Sequence, residues 1–111
     1  MKKMILLLIL IPFALSLSAK EYTPAELNQM VNSGNYPAQG PSTSDSSPMD
    51  FGNCVTTAKT MMNAIADNYP VSVITNTSIV YMVKAWVNDA AMTITCSKPD
   101  GKMVITQSPY K

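Results

Sequence analysis

At Pro70 the spacing of apolar residues switches from helical to alternating, and that switch constrains the fold more than any other feature of the chain. Before it, over Ser47 to Asn68, Phe51, Cys54, Val55, Ala58, Met61, Met62 and Ile65 recur at steps of three and four. Asn53, Thr56, Thr57, Lys59, Thr60, Asn63 and Asp67 fall on the other side. The spacing predicts one amphipathic helix with a single dry face. Ser47 is placed to cap it, Pro48 suits the first helical position, and Asp50 stands where a capping box would close. Pro70 ends it. A helix of this length needs tertiary packing to persist in water, and the segment after Pro70 is the natural partner.

That segment reads as strands. Val71, Val73 and Thr75 alternate with Ser72 and Ile74 before a turn at Asn76-Thr77-Ser78. Ile79 to Val87 follows, rich in β-branched and aromatic residues, with Ile79, Tyr81, Val83, Ala85 and Val87 on one face. Val80, Met82, Lys84 and Trp86 lie on the other. After Asn88-Asp89, Met92, Ile94 and Cys96 oppose Thr93, Thr95 and Ser97, the alternation of a half-buried strand. Pro99-Asp100-Gly101 reverses the chain into Lys102 to Thr106, with Met103 and Ile105 inward. Short connections favour an antiparallel meander. The expected class is therefore α+β: a long helix packed on a four-stranded antiparallel sheet, with a short extra helix before it.

The extra helix is signalled in Lys20 to Tyr36. Thr23 can cap, Pro24 takes the first position, Glu26 stands three after the cap, and Gly34 follows the last turn. Leu27, Met30 and Val31 form its apolar face. Tyr36 to Ser46 then changes composition to Pro, Gly, Ser and Thr, which reads as a surface connector. It is too short to separate domains. The expected organisation is residues 1–19 as a leader, 20–46 as short helix and connector, and 47–111 as helix plus sheet.

The leader reading rests on Met-Lys-Lys-Met, an apolar run from Ile5 to Leu17, and small residues at Ser16-Leu17-Ser18-Ala19, the three regions of a secretory signal. The run is shorter than the roughly 20 residues a membrane span requires, which favours cleavage after Ala19 over an anchor. The 92 residues that follow carry six lysines against seven acids, a net charge of −1. They hold no arginine and no histidine, which disfavours nucleic-acid readout and removes the commonest general base. The expected location is the periplasm or the exterior of a bacterial cell.

Export makes sense of the two cysteines. In an oxidising compartment an even count usually pairs, and Cys54 and Cys96 each fall on the face expected to be buried, so a bridge would pin the helix to the third strand of the expected sheet. A redox pair would favour cysteines close in sequence beside cations, and these are far apart. Two sulfurs without histidine would be an incomplete zinc shell. Copper binding by methionine is disfavoured because Met61, Met62, Met92 and Met103 all fall on expected core positions. No cofactor is expected.

Reactive groups are sparse. A hydroxyl nucleophile would have to be activated by Lys59 or Lys84, both of which read more simply as solvated. Asp45, Asp50, Asp67, Asp89 and Asp100 sit at expected loops, caps and turns. One constellation is unaccounted for. Met82, Lys84 and Trp86 project from the sheet face opposite the cysteine, beside Thr93, Thr95 and Thr106. They form either a recognition patch for a protein partner or a surface covered by the first helix.

The runs Glu21-Tyr22-Thr23-Pro24-Ala25-Glu26-Leu27 and Asn88-Asp89-Ala90-Ala91-Met92-Thr93-Ile94-Thr95-Cys96, with the closing hairpin, resemble those of small uncharacterised exported proteins of proteobacteria, some carried by conjugative plasmids. The resemblance implies location and no activity. Together these readings lead to a non-enzymatic, disulfide-stapled periplasmic binding or accessory factor for an envelope or plasmid-linked process. A secreted inhibitor or effector, and a small Ser/Lys hydrolase, are the alternatives.

Overall fold

A computed structural model describes residues 20–111; the expected leader, 1–19, lies outside the described residues. The elements in order are α1 (Pro24–Ser33), β1 (Thr43–Pro48), α2 (Phe51–Ile65), β2 (Val71–Asn76), β3 (Val80–Trp86), β4 (Ala90–Ser97) and β5 (Lys102–Pro109). The strands form one five-stranded sheet in the order β1-β5-β4-β3-β2, every neighbouring pair antiparallel. The class is α+β, as expected. Two details differ.

The sheet has five strands, and the fifth comes from the segment read as a connector. Thr43 to Pro48 has no apolar stripe to announce a strand, and all six residues are exposed. Its role is to pair backbone groups along the open edge of β5, from Thr43 opposite Gln107 to Pro48 opposite Lys102. A strand with only one neighbour and no buried face needs no apolar alternation. Pro48, which has no N–H to donate, is tolerated at the end of such an edge.

That pairing also shortens the helix. Ser47 and Pro48 lie in β1, so α2 starts at Phe51 with Asp50 as its cap, the carboxylate accepting from the Asn53 backbone N–H at 3.2 Å. Ser47 precedes a proline, which biases it toward extended backbone. The helix closes at Ile65, with the Tyr69 N–H still donating to the Ile65 carbonyl before Pro70. It runs 15 residues, shorter than the Ser47–Asn68 span its pattern suggested.

The dry face of α2 is the expected one. Cys54, Ala58 and Met62 are buried against Tyr81, Val83, Ala85, Ile94, Cys96 and Met103, with Phe51, Val55, Met61 and Ile65 packed around them. Cys54 and Cys96 are bridged. The bond ties the first turn of α2 to β4, the middle of the sheet. The methionines read as core filler are core: Met62 and Met103 are buried, and Met61 and Met92 pack against them.

The opposite face of the sheet is divided. At one end α1 covers it: Leu27 is buried with Trp86, Ala91 and Tyr110, and Tyr22, Val31 and Tyr69 pack around the cluster. The caps of α1 are those its residues signal. Thr23 and Glu26 make a reciprocal capping box, and Gly34 ends the helix at φ 81°, a left-handed conformation that costs glycine little. The Tyr110 hydroxyl lies within 2.7 Å of the Val87 carbonyl and 2.9 Å of the Ala90 carbonyl, toward which it donates, and so closes the β3–β4 turn from beneath. The Asn28 side chain donates to the Asn68 carbonyl at 3.0 Å, joining α1 to the turn that follows α2. At the other end the face carries no helix.

Candidate functional site

β3 sends Lys84 and Trp86 to the face opposite the disulfide, because Tyr81, Val83 and Ala85 already occupy the α2 side. Beside them runs β2, a sheet edge. Its register with β3 is regular at Ser72 opposite Lys84, then shifts at a bulge between Val73 and Thr75. The strand places Ser72 and Ile74 beside Lys84. Tyr36, in the irregular segment after α1, lies over the end of this strip with its ring stacked on Trp86 at 5.5 Å between centroids and 24° between planes. Tyr36, Ser72, Ile74, Lys84 and Trp86 line a groove of about 250 Å³.

Two side chains lining this groove carry donors without an acceptor among the described residues. The Trp86 Nε1–H is buried and makes no hydrogen bond to the described residues. The Lys84 ammonium sits 5.2 Å from the centroid of the same indole, a cation–π arrangement. Burial holds the Lys84 amine below its ordinary pKa, and no neighbouring carboxylate offsets that burial.

The groove contains two of the three residues expected to form a recognition patch. Lys84 and Trp86 line it, whereas Met82, half-buried and paired with Thr95, stands farther along β3 and does not. The tryptophan is not an exposed anchor: it is 3% exposed, held between the α1 cluster and Tyr36. The first helix therefore covers the Trp86 end of the face and leaves the Lys84 end open. Tyr36 was hidden in an apparent connector. Ser72 and Ile74 were legible as one face of a strand, but nothing in their spacing marked that strand as an edge.

The lysine–hydroxyl chemistry divides between the two candidates. Lys59 is exposed on α2, its ammonium 5.7 Å from the Tyr81 ring centroid. Lys84 does converge with a serine, since Ser72 is its register partner and both line the groove. Among the described residues no hydrogen bond links the two side chains. No group of three or more His, Cys, Asp or Glu side chains suited to a metal occurs among the described residues. No helix among them is long and apolar enough to cross a membrane.

The two edges of the sheet differ sharply. β1 is polar throughout, carries Asp45 and ends on a proline, features that blunt an edge against further pairing. β2 carries neither charge nor proline. The most exposed large apolar side chains gather on and around it: Tyr36 at 58%, Val73 at 54%, Ile74 at 52%, and Ile79 in the β2–β3 turn at 50%. No known protein family, curated protein or solved structure matches this chain.

Proposed function

We propose that this protein is a non-enzymatic binding or accessory factor of the bacterial envelope, exported and disulfide-stapled, that takes an extended segment of a partner protein along β2. The observation that carries the reading is the gathering of Tyr36, Val73, Ile74 and Ile79 at one uncharged sheet edge while the other edge is polar throughout. An added strand supplies backbone partners to the outer side of β2, and its side chains find Val73 on one face and Ile74 with Tyr36 on the other. A secreted inhibitor or effector would use the same edge on a different target.

The test is retention of a partner from periplasmic extract by the oxidised protein and by Ile74→Asp. Ile74 is half-exposed, so the substitution leaves the core untouched. The partner is expected on the wild type and absent from the variant, with Lys59→Glu on the α2 side as a control that retains it. Equal retention by Ile74→Asp refutes the edge reading.

The pairing of Ser72 with Lys84 supports a second reading, in which the lysine activates the serine of a small hydrolase. It predicts turnover of an activated ester that is lost in both Ser72→Ala and Lys84→Met. Turnover indifferent to both substitutions excludes it.

A further inference from the structure

We infer that the groove beside β2 is a carboxylate subsite, in which Lys84 and Trp86 together receive an acidic side chain from the extended segment laid on that edge. This rests on the edge-pairing reading above and adds the chemistry of the segment it selects.

Lys84 and Trp86 both line the groove, and neither side-chain donor has an acceptor among the described residues. Buried side-chain N–H groups are paired in the great majority of folded proteins, so the lone Trp86 Nε1–H is an exception that calls for an explanation. Lys84 lies over the same indole with no carboxylate acting on it. An indole N–H and an ammonium have no acceptor capacity of their own, so the group that completes them must accept. Beside a cation that acceptor is best an anion, because charge-assisted bonds are roughly twice as strong as neutral ones. A carboxylate has two oxygens and can serve both donors.

The register supplies the path. Ser72 stands opposite Lys84 on the groove face. A strand added outside β2 puts a side chain opposite Ser72 on that same face, about 10 Å from the Lys84 backbone, since neighbouring strands lie about 4.8 Å apart. A lysine and a glutamate extended toward each other cover that span. They meet above Ser72, whose short side chain leaves the space open. Nε1 itself is enclosed, so the carboxylate meets Lys84 first and reaches the indole N–H only when the cover over Trp86 opens, of which the Tyr36 ring is one part. That ring is stacked on Trp86, yet Tyr36 is 58% exposed and belongs to the irregular segment between α1 and β1.

Trp86 is the only tryptophan of the chain, so its indole N–H gives a single resonance in a ¹⁵N-correlated spectrum. The oxidised protein, recovered from the periplasm of an expressing host, is titrated with two capped five-residue peptides of alternating valine and threonine. One has a central glutamate and the other a central glutamine. Both are expected to shift the β2 amide resonances. The glutamate peptide is expected to bind about tenfold more tightly and to move the indole resonance, as a charge-assisted bond requires. In Lys84→Met the tenfold preference disappears. Equal affinities in the wild type, or a preference that persists in Lys84→Met, overturn the carboxylate subsite and leave edge pairing standing. Unchanged β2 resonances with both peptides at millimolar concentration refute edge pairing, and the subsite with it.

Discussion

Replacing Cys54 and Cys96 together by alanine opens a loop whose ends are 42 residues apart in sequence. In the chain-entropy treatment, closing a loop of that size lowers the entropy of the unfolded chain by about 13 cal/mol/K, which is about 4 kcal/mol at 25 °C. Both side chains are fully buried in the α2 core, so losing two sulfurs adds a packing loss of about 1 kcal/mol. Small domains have total stabilities of roughly 5–15 kcal/mol, and the variant should sit near the lower limit for folding. Urea unfolding followed by the fluorescence of Trp86 measures the loss directly. The unfolded chain also becomes more expanded without the bridge, so the dependence on urea should steepen. The thermal midpoint should fall by about 20–40 °C. Reducing the wild-type protein without mutation separates the restraint from the packing loss, because the sulfurs remain. A loss below about 1 kcal/mol on reduction would refute the claim that the bridge acts by restraining the unfolded chain.

Asp50→Ala should cost about 1 kcal/mol through loss of the α2 cap, whereas Ser47→Ala should stay within about 0.5 kcal/mol, as expected of an exposed residue on an edge strand; paired urea titrations read the difference. Gly101 holds φ 60° in the β4–β5 turn, so Gly101→Ala should destabilise by about 1 kcal/mol while the fold by circular dichroism is unchanged. Tyr110→Phe removes the hydroxyl that donates toward the Val87 and Ala90 carbonyls and should cost about 1 kcal/mol at neutral pH. Burial foremost, then the charges of Asp89, Tyr22 and Tyr69, raises the Tyr110 phenol above its ordinary value of 10.0. The unfolded chain therefore releases that proton first. The contribution is fully present below pH 10.0 and is lost as pH rises above it, and Tyr110→Phe should lack that share of the alkaline decline.

What could be read without coordinates is what apolar periodicity and cap chemistry encode. The stripe from Phe51 to Ile65, the inward set Tyr81, Val83, Ala85, Met92, Ile94 and Cys96, and the box of Thr23 with Glu26 depend on contacts that demand particular side chains. β1 makes no such demand. Its six exposed residues contribute backbone pairing and short side-chain contacts such as Ser44 with Thr106 at 3.0 Å, which leave no pattern of their own. The start of α2 is illegible for the same reason, since Ser47 and Pro48 look like a cap until β5 offers them a partner. At the groove, the projection of Lys84 and Trp86 followed from alternation alone. The covering of Trp86 by α1 and Tyr36 depended on where a helix and an irregular segment dock, which no local spacing specifies.

The strand order gives this small sheet a hierarchy in time. β2 to β5 join consecutive segments through short turns, so their pairing closes small loops and can proceed from local contacts. β1 must wait for a template near the C-terminus: Ser44 meets Thr106 across 62 residues, after β5 has itself been laid on β4. With no buried face to anchor it, β1 is also the strand least costly to detach. Its amide hydrogens should exchange with solvent first among the five strands, while those of β3 and β4 persist until the whole domain opens.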